Sequence, residues 1–204
     1  MHDKINHIEL FTKALKPLSE IGWYISEDLT LNDIFLANNF LQKNKKILVD
    51  ELMKKHFKKN LNTTKKNLIH YYPERSLILS EAFEAHRKKL FFASTSLFLI
   101  QSDGICKEQL YKKSKGKKIE LKKIIELNQT PEHLKILLSL ITEINSIDKK
   151  FYKEEMQGLI LNRHGVMHGS DTTFGTELNS LKALSLLSFI GGFFERHKRI
   201  KYSS

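Results

Sequence analysis

Apolar positions in this chain recur with the spacing of helical faces and are separated by short polar breaks. Ile5, Ile8, Leu10, Phe11, Leu15 and Leu18 define a first amphipathic segment over residues 1–18, which Pro17 is expected to end. The aromatic connector Gly22-Trp23-Tyr24-Ile25-Ser26 is expected to pin itself to the domain, with stacking on bases as the alternative use of its rings. Thr30 with Asp33 marks a helix start, and Ile34, Phe35, Leu41, Ile47, Leu48, Leu52 and Phe57 carry one long helix, or two in line, to about Lys59. Residues 60–66 read as a polar loop. Pro73 suits the first turn of a further helix, whose buried stripe would be Leu77, Ile78, Ala82, Phe83 and Ala85.

From Leu90 to Ile105 the pattern is apolar nearly all round, so Leu90, Phe91, Phe92, Leu97, Phe98 and Ile100 are core candidates. Gln101, Ser102 and Asp103 break it just before Gly104. A carboxylate there either caps a local turn or faces a catalytic Arg or His and orients it. Thr130-Pro131-Glu132 opens another helix, followed by Leu134, Leu137, Leu138, Ile141 and Ile144 on one face. Residues 148–161, with Phe151, Met156, Leu159 and Ile160, form the next pattern. A last helix is expected from about Thr176 to Arg199. Its face of Leu178, Leu181, Leu184, Leu187, Ile190 and Phe194, widened by Leu186, Phe189 and Phe193, could bury a neighbouring chain as well as its own bundle.

Composition supports the same class: three prolines and nine glycines in 204 residues point to an all-α antiparallel helical bundle preceded by an N-terminal helical extension. The net charge of +11 and pI near 9.6 favour an anionic partner, nucleic acid first, with plain solubility as the other account. The charge is densest at Lys107–Lys123, which holds eight lysines against two glutamates. In this basic connector Lys112, Lys113, Lys115, Lys117 and Lys118 could funnel RNA, or could simply keep a linker solvated. A single cysteine, Cys106, cannot form an internal disulfide and reads as a small core residue. No run suits a membrane span or a cleaved leader, so a cytoplasmic protein is expected, with no membrane partner.

The candidate chemistry is concentrated in Asn162-Arg163-His164-Gly165-Val166-Met167-His168-Gly169. Arg163 is a permanent planar cation suited to gripping a phosphate, and His164 and His168 can move protons near neutral pH. The segment resembles the signature of the HEPN superfamily: an Arg, a polar neighbour, and a His after four to six intervening positions, here His164, Gly165, Val166 and Met167. The resemblance covers roughly residues 73–199. It implies a helical bundle over 71–204, within which the basic connector falls at 107–128, while the N-terminal helical extension over 1–70 owes nothing to it.

The resemblance further implies a metal-independent endoribonuclease with no cofactor, acting as a toxin or phage-defence effector. Arg163 and His168 would be catalytic, with Asn162, His164 and Asp103 in support. A homodimer with a composite site is implied, and an antitoxin or defence-system partner is possible within that family. Where toxin members carry a Tyr two residues after the catalytic His, this chain has Ser170, which counts against control through that tyrosine. Two other readings stay open: a non-catalytic RNA-binding or scaffolding bundle, and a zinc site in which His164 and His168 are completed by Asp171, Glu177 or a distant carboxylate.

Overall fold

The computed structural model describes residues 15–26, 28–111 and 161–202, the side chains of 107–111 and 196–202 excepted. It is an all-α helical bundle, and the described residues include no strand. After helical backbone at 15–20 come α1 (Leu31–Gln42), α2 (Lys46–Lys59), α3 (Leu61–Tyr71), a 3-10 turn (Pro73–Arg75), α4 (Ser76–Arg87), α5 (Phe91–Tyr111), the short α6 (Arg163–Met167) and α7 (Glu177–Tyr202). No described helix is long and apolar enough to cross a membrane.

The centre is the pair α5 and α7. α4 lies against α5, while α2 and α3 lie against α7. Phe83, Phe98, Leu99, Leu181, Leu184 and Leu187 are buried at this centre, and Trp23, Met53, Phe57 and Leu68 belong to the same buried cluster. Each such side chain contributes on the order of 1.5–3 kcal/mol by leaving water. The wide apolar face of α7 is consumed by its own bundle: Leu186, Phe189, Phe193 and Phe194 are all buried within the chain.

Polar pins fix how the helices meet. Trp23 donates its indole N–H to Asp50 Oδ1 at 2.7 Å, and Lys182 Nζ lies 3.4 Å from the same oxygen. The Lys182 side chain is only 8% exposed, and burial pushes its pKa below the ordinary lysine range, with Asp50 pulling it back up. The ammonium also sits 5.6 Å from the centre of the Trp23 ring. On α4, buried His86 meets Ser180 Oγ through Nδ1 at 2.8 Å, and Ser180 Oγ meets Ser94 Oγ at 2.7 Å, so one polar chain ties α4, α5 and α7 together. Ser26 Oγ and His56 Nε2, 2.7 Å apart, hold the connector after residues 15–20 to α2.

Several expectations hold. Trp23 and Tyr24 are packed rather than presented, with Trp23 stacked on Phe57 at 5.8 Å between centroids. Thr30 is an N-cap, accepting from Asp33 N–H at 3.1 Å. Other expectations need correcting. Helical backbone runs past Pro17 to residue 20. Of one long helix or two, the structure has two, broken where Asn44 takes a left-handed φ of 54°; the correction is in their faces, where Phe35, Ile47 and Leu48 are exposed and Val49 and Met53 are core. Residues 61–66 belong to α3, because burial of Thr64 and Leu68 outweighs their polar neighbours. On α4 Ala82 and Phe83 are buried as expected, but Leu79 joins them in the core in place of Leu77, which is 82% exposed.

The largest correction concerns α5. Leu90, Phe92 and Ile100 are exposed, and Phe98, Leu99 and Ile105 face inward alongside Ser94, Thr95, Gln101 and Ser102. Three of these buried polar groups have partners: Ser94 Oγ meets Ser180 Oγ, Ser102 Oγ donates to the Phe98 carbonyl at 2.8 Å, and Gln101 Oε1 accepts from Arg75 at 2.6 Å, whereas Thr95 Oγ1 is buried with no hydrogen-bond partner among the described residues. Cys106 is half-buried at the edge of the core.

Candidate active site

The motif begins where the chain must stop being extended. Asn162 has β-region dihedrals (φ −120°, ψ 114°), and its side-chain oxygen accepts the Gly165 N–H at 2.8 Å, opening α6. Five residues later the helix closes on itself. The His168 N–H donates to the His164 carbonyl at 3.1 Å, Gly169 takes φ +68°, and the Ser170 and Asp171 N–H groups both donate to the Gly165 carbonyl, at 2.9 and 3.0 Å. A side chain at Gly169 would be strained by that left-handed φ, although the space around it is open.

Asp171 fastens the far end. It is buried, and its Oδ1 accepts from the Thr173 N–H at 2.8 Å and hydroxyl at 2.9 Å. Val166 turns inward, and α6 rests on α5. The consequence is that His164 and His168 point to solvent, with rings stacked at 26° and centroids 4.8 Å apart.

Arg163 lies on α6 with Nη1 3.5 Å from Asp103 Oδ1 on α5, the two side chains 40% and 21% exposed. Asp103 is therefore inside a continuous helix that runs on to Tyr111, and of its two sequence readings the structure has the one in which it faces the arginine. A carboxylate on one edge of a guanidinium fixes the plane of the fork, and Arg163 keeps a solvent-accessible surface on which a phosphate could bind.

Five sequence candidates thus come together in one place: Asn162, Arg163, His164, His168 and Asp103. Asn162 has a different task from substrate contact. With 0% exposure it supports the motif from beneath. Lys112, Lys113, Lys115, Lys117 and Lys118 lie outside the described residues, as do the helices expected after Thr130 and at 148–160. The role of Asp171 as anchor went unread, although an Asp two residues before a Thr in the polar run Ser170–Thr173 is a turn signal.

Of the two carboxylates that the zinc reading names, Asp171 accepts from Thr173, and Glu177 pairs with Lys54 and Lys58 at 3.4 and 2.9 Å. Among the described residues no group of three His, Cys, Asp or Glu side chains could hold a metal ion. Comparison with protein families, with characterised proteins and with solved structures finds no match to this chain.

Proposed function

We propose that the chain is a metal-independent endoribonuclease of the HEPN type, acting through Arg163 and His168. The observation that carries this reading is the presentation of two solvent-facing imidazoles on one short helix beside an arginine steadied by Asp103. The reaction is attack of a ribose 2′-oxygen on its own phosphorus with departure of the 5′-oxygen. One imidazole takes the 2′ proton, and a second returns a proton to the leaving oxygen. Arg163 offsets the charge that gathers on the phosphoryl oxygens. The products are a 2′,3′-cyclic phosphate and a 5′-hydroxyl. DNA, lacking the attacking group, is not a substrate.

The rings of His164 and His168 are close enough to serve one phosphodiester between them. A homodimer facing through this surface would instead supply the second imidazole from the other copy. The test is cleavage of single-stranded RNA in EDTA, with end-group analysis of the products. His168→Ala and Arg163→Ala are each expected to lower the rate by about 100-fold or more, with the helical circular dichroism retained. Equal cutting by His168→Ala refutes the assignment. RNA binding without any cleavage by the native chain would favour the non-catalytic bundle.

A further inference from the structure

The outer face of α5 carries an exposed aromatic ring packed on the backbone below it. Phe92 is 52% exposed although it is built into the fold. It stands edge to face with the Phe174 ring, at 5.0 Å between centroids and 81° between planes. Beneath it lies Gly175, where a Cβ would fall 2.4 Å from the ring carbons, so the ring lies directly on the backbone there. The absence of a side chain at position 175 lets the phenyl ring be supported from below while the rest of it stays open to solvent.

Phe92 and Asp103 are eleven positions apart on a helix that is continuous from Phe91 to Tyr111. Eleven residues make about three turns, so the two residues differ by only about 20° around the axis and are separated by about 17 Å along it. Exposed Ile100 lies between them on the same side. Arg163, paired to Asp103, therefore stands at one end of a strip whose other end is the Phe92 ring.

Just beyond Phe92 the end of α4 adds charge. Arg87, Lys88 and Lys89 are all exposed, and Glu84 pairs with the first two, at 3.6 Å from each. Lys89 takes a left-handed φ of 61° as the Leu90 N–H closes on the Ala85 carbonyl at 2.8 Å. Arg87 also reaches across to Asn62 on α3 at 2.6 Å.

From this we propose that the α5 face is a single-strand RNA track, with Phe92 as a base-stacking platform and Arg87–Lys89 holding the phosphates that flank it. An exposed aromatic set among cations is the arrangement by which sequence-tolerant single-strand binders work, because every base has a flat face. A duplex keeps its bases stacked on one another and has none to offer. The proposal deepens the nuclease reading and rests on it for its ligand: it makes the substrate unpaired RNA, bound a few nucleotides away from the scissile bond.

The experiment uses a fluorescein-labelled oligoadenylate of about a dozen nucleotides, bound to the full chain carrying His168→Ala so that it is not consumed, and read by fluorescence anisotropy. Adding Phe92→Ala should weaken binding about 5- to 100-fold, Phe92→Trp should restore it, and Gly175→Ala, which displaces the ring, should weaken it. Lys88→Ala with Lys89→Ala should flatten the dependence of log affinity on log salt by about 0.7 for each phosphate that is no longer neutralised. Unchanged affinity for Phe92→Ala at an unchanged Tm overturns the proposal, as does tighter binding of a duplex of equal length. A fall in sedimentation mass for Phe92→Ala would make the ring a protein contact and overturns it too. If the native chain cuts no RNA yet Phe92 still governs affinity, the nuclease reading fails alone. If RNA is cut and Phe92→Ala binds and cuts normally, the track fails alone.

Discussion

Asp50→Ala should be among the most damaging single changes on the surface-facing side of this bundle. Asp50 Oδ1 accepts the Trp23 indole at 2.7 Å and lies 3.4 Å from Lys182 Nζ, whose side chain is 8% exposed. Removing the carboxylate leaves a buried ammonium without its charge partner, an error that costs about 3–5 kcal/mol. It also strips the indole donor of its acceptor, worth on the order of 1–3 kcal/mol. Asp50 itself is 26% exposed, so water can enter part of the gap, and the terms overlap. A total near 3–5 kcal/mol is therefore expected. For a chain of this length that corresponds to a fall in Tm of roughly 6–20 °C.

Asp50→Asn, which keeps an acceptor for Trp23, should lose less. Lys182→Met leaves the Asp50 carboxylate without its cation, but that carboxylate is 26% exposed and still accepts from Trp23, so the loss should be smaller than for Asp50→Ala. The double variant Asp50→Ala with Lys182→Met should recover much of the loss, since no stranded charge remains. Urea denaturation is a direct assay because Trp23 is the chain's only tryptophan, so its fluorescence reports on the cluster itself. The sign with pH also follows. With the Lys182 pKa lowered on folding, the unfolded chain holds the proton more tightly in the window below 10.5, so stability rises with pH there. Without Asp50 the lowering is greater, and the deficit of Asp50→Ala should shrink as pH rises through that window. The reasoning is refuted if Asp50→Ala lies within about 1 kcal/mol of the native chain, or if the double variant is no better than the single one.

Burial lowers the pKa of both His86 and His56 from 6.5, so the folded chain resists protons that the unfolded chain accepts. Stability should be full above about pH 6.5 and fall as pH drops through it toward the lowered folded values, and His86→Gln should flatten that slope in urea titrations followed at several pH values. Asp103→Ala should slow RNA cleavage by up to about 100-fold through a misplaced Arg163. Its Tm should barely move, since a half-exposed ion pair contributes about 0–1 kcal/mol.

Helix content and the compactness of the motif were legible from periodicity and spacing. Thr30 and Pro73 each sit where capping chemistry puts them, at the entry to α1 and at the 3-10 turn before α4. Burial was legible only in part. Phe92, Ile100, Leu77 and Ile47 are as apolar as their buried neighbours, and what separates them is which side the neighbouring helices cover, a fact absent from any local window. The converse holds for Ser94, Gln101 and Ser102, polar residues made tolerable inside by partners on other turns or other helices. Asp103 was singled out because a carboxylate beside an apolar run needs a reason. Its choice of Arg163, 60 positions away, comes from packing alone.

The Gly165 carbonyl receives both the Ser170 and the Asp171 amides. Those two protons should therefore be released to solvent in a single event, since neither can leave its acceptor without unwinding the same turn. Deuterium uptake at these positions would time every opening of the loop, and a nucleotide clasped by it would slow both amides in equal measure.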